Sequence, residues 1–224
     1  MGSCEACNTY IYSKNKHFSA SALMWTDEEC IALRSAVRVI RETDPVHAEQ
    51  MIRDAFTAGY RPGFQPIACL EFPGSLLWEV TFWASADCVA FMIEAGEDAL
   101  VAPWPNYWNC FHIAAIMGRK DTLAILENKC GQAALNMKTR TGYTPLMCAI
   151  KFGPDTPEVH TTIRWLMQHP AVDLHIPIGL FAIEVNDDDD NGFVGYIEGP
   201  AASLINFARY HKPNLTWHTH NKTL

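Results

Sequence analysis

No stretch of the 224-residue chain approaches the roughly 18 to 20 consecutive apolar residues that span a bilayer. The N-terminal residues also lack the continuous apolar core of a secretory signal. Basic residues are in deficit, with 17 Lys and Arg against 25 Asp and Glu, a formal net charge of −8. That balance argues against nucleic acid and against purely electrostatic attachment to anionic membranes, since both reward basic patches. It suits a protein partner that offers a basic or apolar groove. Familiar catalytic patterns are missing as well: there is no phosphate-cradling glycine loop, no G-x-S-x-G and no H-E-x-x-H. The expectation is an intracellular, cytoplasmic, non-enzymatic protein without a required cofactor. An enzyme with an unrecognised Cys/His site stays open as an alternative, because eight cysteines and nine histidines make chance pairs inevitable.

What is present is apolar mass. Hydrophobic residues make up 49% of the chain and aromatics 11%, enough for a sizeable core and too much for a disordered one. The cysteines lie at 4, 7, 30, 69, 88, 110, 130 and 148, several among apolar helix positions such as Leu146-Met147-Cys148-Ala149. They read as small buried hydrophobes in a reducing compartment rather than a disulfide framework.

The strongest pattern is a repeat. Gly142-Tyr143-Thr144-Pro145-Leu146-Met147-Cys148-Ala149 opens a helical pattern with worn upstream copies, Asn109-Cys110-Phe111-His112-Ile113-Ala114-Ala115 and Gly74-Ser75-Leu76-Leu77-Trp78. Leu77, Phe111 and Leu146 are spaced by about 34 to 35 residues, a period that means stacked units, each burying its apolar face on the next. Pro145 is tolerated in a first helical turn, and Thr144 can cap it. Small residues such as Ala114, Ala115 and Ala149 let paired helices approach closely. The Thr-Pro-Leu start resembles the ankyrin repeat, well over residues 74–176 and weakly over 27–60.

The resemblance implies an all-α, ankyrin-type helical solenoid of about four to five repeats. It also implies a non-enzymatic protein–protein interaction role as scaffold or adaptor, host-directed by analogy with divergent arrays. Four segments are expected: an irregular 1–25, an N-terminal helical pair or cap over 26–73, repeats over 74–176, and an acidic hairpin insert with a C-terminal capping helix over 177–224. The helical pair begins at the capping box Thr26-Asp27-Glu28-Glu29 and ends at Ala58-Gly59. His112 falls where the ankyrin start motif often carries histidine, so its expected role is to bond loop backbone.

Downstream, Leu180–Val185 and Phe193–Glu198 are apolar, β-prone runs flanking Asn186-Asp187-Asp188-Asp189-Asp190-Asn191-Gly192. The Asn-Gly turn makes a β-hairpin insert the expectation. The same residues match the spacing of an EF-hand calcium loop. Asp187 and Asp189 would give carboxylates, Asn191 an amide, Phe193 a backbone carbonyl and Glu198 a bidentate carboxylate to Ca2+. Pro177, Gly179 and Gly199-Pro200 disagree with the helices that normally flank such a loop. Both readings stay open: a plain acidic finger, or a calcium-binding or calcium-regulated adaptor.

Trp104-Pro105-Asn106-Tyr107-Trp108 falls where a finger tip would lie, making Trp104, Tyr107 and Trp108 the candidate protein-contact residues. The alternative is that Trp104 and Trp108 fold back onto the stack. Met1-Gly2-Ser3-Cys4 resembles an acylation signal, with myristate on Gly2 and palmitate on Cys4 or Cys7, although Ala6 departs from the pattern. Acylation would make the protein peripheral to membrane. Cys4-Glu5-Ala6-Cys7 has no second pair for zinc, and His218-Thr219-His220 reads as a solvated tail.

Overall fold

The computed structural model of the chain describes residues 25–63, 74–103, 107–175, 182–184, 194–196, 207–208 and 211–213. Its first helix, α1 (Asp27–Ile40), starts where the sequence expects it. The Thr26 hydroxyl accepts from the Glu29 amide at 3.2 Å, while the Thr26 amide donates to the Glu29 carboxylate at 2.8 Å. This closes the capping box and satisfies two amides that helix geometry leaves without partners. Asp44 caps α2 (Pro45–Thr57), which buries Ala48, Ile52 and Ala55 at helical spacing.

Three helix pairs follow: α3 (Leu76–Val80) with α4 (Ala86–Glu94), α5 (Cys110–Ile116) with α6 (Lys120–Cys130), and α7 (Pro145–Phe152) with α8 (Pro157–Gln168). Ser75, Ser85, Asn109, Thr144 and Thr156 each cap a helix by accepting a backbone N–H, and only α6 among them lacks such a cap. Helices α3, α5 and α7 form one layer, and α2, α4, α6 and α8 a second. Leu77, Phe111 and Leu146, the residues that set the period, are all buried in the seam between layers. Ala114, Ala115 and Ala149 are wholly buried, as close packing of paired helices requires.

Two features were not anticipated from the sequence. A 3-10 turn, Gln132–Asn136, follows α6 and presents Asn136 to the next unit. The Asn136 amide donates to the Ala171 carbonyl at 2.7 Å, and its side-chain oxygen accepts from the Asp173 amide at 2.8 Å. The other is Gly118, whose φ of +70° and position 2.6 Å (as a built Cβ) from the Val159 amide nitrogen admit no larger residue. Through it, the turn between α5 and α6 touches the start of α8.

After α8, β1 (Ala182–Glu184) and β2 (Val194–Tyr196) pair antiparallel, with Ile183 opposite Gly195. Three residues a side are all the β structure among the described residues, and the acidic turn between them lies outside those residues. Further on, Phe207, Ala208 and His211 are helical. Phe207 stacks on Tyr143 with ring centroids 6.4 Å apart, and the Lys212 ammonium donates to the Gly153 carbonyl. Phe207 and Lys212 therefore meet the residues that flank α7 on either side.

Candidate functional site

Of the three predicted contact residues, Trp104 lies outside the described residues. Tyr107 is half-buried with φ 55°, a left-handed conformation uncommon for an aromatic residue, and its amide donates to the Pro103 carbonyl at 2.9 Å. Holding a tyrosine there costs on the order of 1 kcal/mol or more, a form of strain that clusters at binding sites. Trp108 turns toward the array: its ring lies 5.3 Å from that of Phe152, and its carbonyl accepts the Trp78 indole N–H at 2.6 Å.

This puts Tyr107 and Trp108 beside residues the sequence reading did not single out. Phe152, the last residue of α7, is 41% exposed. Its ring meets Tyr143 edge-on at 5.8 Å. The Lys151 ammonium stands 4.7 Å from the Tyr143 ring centre and 5.3 Å from that of Phe152, and donates to the Tyr143 hydroxyl at 2.8 Å. At the other end, the Arg140 guanidinium lies 5.8 Å from the Tyr107 ring centre. The result is one run of aromatic faces interleaved with cations, each within cation–π reach. A signal existed: Phe152 follows Leu146 by six residues in the repeat's own helix, too far round for the seam that Leu146 occupies.

The Thr139–Tyr143 turn is built to hold that face. The Thr139 amide donates to the Tyr143 carbonyl at 2.9 Å, the Gly142 amide to the Thr139 carbonyl at 3.0 Å, and the Tyr143 amide to the Thr139 hydroxyl at 3.1 Å. Beneath it lies His112, buried at the start of α5. Its Nε2 faces the Met137 and Tyr143 carbonyls at 3.1 and 3.2 Å, so Nε2 carries the proton and donates to both. Nδ1 then accepts the Asn109 backbone N–H at 3.3 Å. Asn109 Oδ1, 2.6 Å from Nδ1, would welcome a second proton there, but burial dominates and pushes the pKa down to about 4. A neutral imidazole tied to loop backbone is a structural part, as the start motif implied.

Other titratable groups are spread through the core. Cys88 and Cys110 are buried with thiols pushed up to about 12, and burial raises Cys148 further. Such thiols are poor nucleophiles. Among the described residues, no three His, Cys, Asp or Glu side chains gather as a metal would require. The outer-helix starts border an open groove of about 560 Å3 lined by Ser85, Arg119, Lys120, Asp121, Glu158 and Thr161, where opposite charges alternate. None of the predicted site residues lines it.

The calcium-loop candidates Asp187, Asp189, Asn191, Phe193 and Glu198 lie outside the described residues, as do Gly2 and Cys4. The chain entering the acidic stretch, Ala182–Glu184, is strand, where a calcium loop of that type has a helix. No helix among the described residues is long and apolar enough to cross a membrane.

No family model matches the chain, and no curated protein matches it. A crystallised ankyrin repeat protein does match in structure, at a TM-score of 0.52 and 15% sequence identity, over 77% of this chain and 82% of that one. With the repeat spacing, the capped Thr-Pro-Leu start and the two helical layers, that likeness fixes the architecture: this chain has the fold of an ankyrin repeat protein.

Proposed function

We propose that the protein is a non-enzymatic interaction module, a scaffold or adaptor, that holds a protein partner against the aromatic face of Tyr107, Trp108, Tyr143 and Phe152. The observation that carries this is Phe152, a large aromatic side chain 41% exposed at the end of α7, whose Leu146, Met147 and Ile150 are buried. Exposed aromatics rimmed by polar residues mark binding patches, and Tyr and Trp anchor many interfaces. The fold adds a further reason, since solenoid repeats offer extended surfaces for binding. Scattered, buried, high-pKa thiols speak for scaffold over chemistry.

The test compares partner recovery by the wild-type chain with recovery by Tyr107→Ala/Phe152→Ser, with thermal melting to confirm folding. Recovery is expected to fall at least about tenfold, as removal of two interface anchors implies. Equal recovery from a folded variant would take this face out of the function.

A further inference from the structure

The chain is acidic overall, yet the aromatic face is not. Between Asn128 and Pro154 stand Lys129, Lys138, Arg140 and Lys151 without one Asp or Glu. Lys129 pairs with Glu94. The other three have no carboxylate partner among the described residues. Arg140 is exposed on the Thr139–Tyr143 turn, and Lys138 is exposed just before it. Lys151 is half-buried between two rings, with a neutral hydroxyl as its hydrogen-bond partner. The local field agrees: His211, whose ring lies against Phe207, is depressed first by burial and then by the charges of Lys151 and Lys212. An ammonium group so placed has lost part of its hydration, and a carboxylate arriving there would be attracted at short range.

We propose that this face selects an acidic protein segment, one that carries carboxylates for Arg140 and Lys151 and a large apolar side chain for the ground between Tyr107 and Phe152. The partner's chemistry is then opposite to what the net charge of −8 suggests, because recognition reads the local potential and not the total. The spacing supports a short segment: Arg140 stands by the Tyr107 ring, Trp108 is the next residue in the chain, and its ring lies against Phe152, which Lys151 adjoins. Polyanionic nucleic acid is the rival ligand for aromatics mixed with cations, but the surrounding acidic chain would repel a long phosphate backbone where a short peptide escapes it.

This inference rests on the interaction reading above, and the experiment separates the two. A display library of short random peptides is selected on the full chain. A fluorescein-labelled copy of the most enriched peptide is then titrated against wild type, Arg140→Gln/Lys151→Gln and Tyr107→Ala/Phe152→Ser, each checked by thermal melting. An oligothymidine is titrated alongside. The expected set is rich in Asp and Glu around one large apolar residue, with affinity falling at least about tenfold in the glutamine variant and on adding salt. A neutral or basic set lost only in Tyr107→Ala/Phe152→Ser overturns the acidic partner and keeps the interaction reading. Acidic peptides that bind the glutamine variant equally well overturn the assignment to these two cations, and tighter binding of oligothymidine overturns the protein partner. No enrichment from the library counts against both readings.

Discussion

Arg34 of α1 and Glu79 of α3 form an ion pair at 3.2 Å in which the guanidinium is wholly buried and the carboxylate only 8% exposed. Arg34 Nε and Nη2 donate to one Glu79 oxygen, and Arg38 Nε to the other at 2.9 Å. The N-terminal helical pair is thus bound to the first repeat through charge as well as through apolar contact. Removing one partner from a buried pair leaves an uncompensated charge, at about 3 to 5 kcal/mol. Glu79→Gln should lower the stability by that order in denaturant unfolding. Replacing Arg34 and Glu79 together by leucine should cost clearly less than Glu79→Leu alone, and equal costs would mean that the pair is not coupled.

A second pair of buried groups makes opposing contributions to stability across acidic pH. Glu97 is 4% exposed; burial pushes its carboxyl up to about 7, with Asp98 adding to the rise. The Gly63 amide, the Ser75 hydroxyl and Arg34 oppose that rise, though neither carboxyl oxygen closes a hydrogen bond. Tyr60, buried beside it, also leaves its hydroxyl without a hydrogen bond. Between pH 4.5 and about 7, the folded state holds a proton on Glu97 that the unfolded state has released, so this contribution falls as pH rises. His112 runs the other way: between pH 6.5 and about 4 the unfolded state takes up a proton that the folded state refuses, so its contribution falls as pH drops. Each slope is about 1.4 kcal/mol per pH unit, and they cancel where the windows overlap. Glu97→Gln should therefore leave stability that rises with pH over the overlap, and His112→Gln stability that falls. Denaturation midpoints measured across that range decide it, and parallel profiles for the two variants would refute the assignment.

Gly118 tests the fit of the α5–α6 pair on the α7–α8 pair. A methyl group there would meet the Val159 amide nitrogen at 2.6 Å and the Glu158 carbonyl carbon at 2.8 Å, both backbone atoms that cannot step aside. The φ of +70° adds a penalty for any side chain. Gly118→Ala should cost about 2 to 4 kcal/mol by strain and overpacking together. Gly59, with φ +93° and nothing within 4 Å of a built Cβ, is the control, and its alanine variant should lose only about 1 to 2 kcal/mol.

Much of the array could be read from the chain because repeats make the same demand several times. A cap, a small-residue turn and an apolar seam recur at Ser75, Asn109 and Thr144, and each copy supports the others. Interactions that occur once were not legible. Glu79 looks like an ordinary polar helix residue until α1 places Arg34 against it, across 45 positions of sequence. Phe152 and Lys151 read as the tail of a helix, and only the turn at Thr139–Tyr143 and the ring of Trp108 make them a surface. Trp108 could have faced outward or inward from its sequence alone, because an aromatic at a finger base satisfies either environment; in the fold its ring lies against Phe152.

Asn136 was equally silent, a lone amide between Leu135 and Met137, yet it is the clamp between the α5–α6 and α7–α8 pairs. Its side chain donates to Ala171 and accepts from Asp173, spanning 35 and 37 positions, close to one repeat. In a linear array each unit is held by its neighbours, so the loss of one such link acts locally before it acts globally. Asn136→Ala removes both hydrogen bonds and leaves the Asp173 amide and Ala171 carbonyl to water, a loss of about 1 to 3 kcal/mol. Hydrogen exchange should then quicken first in α8 and the turn at Val172, while α1 to α4 keep their wild-type protection. Uniform quickening along the chain would instead mean that the array unfolds as a single unit and that Asn136 is one contact among many.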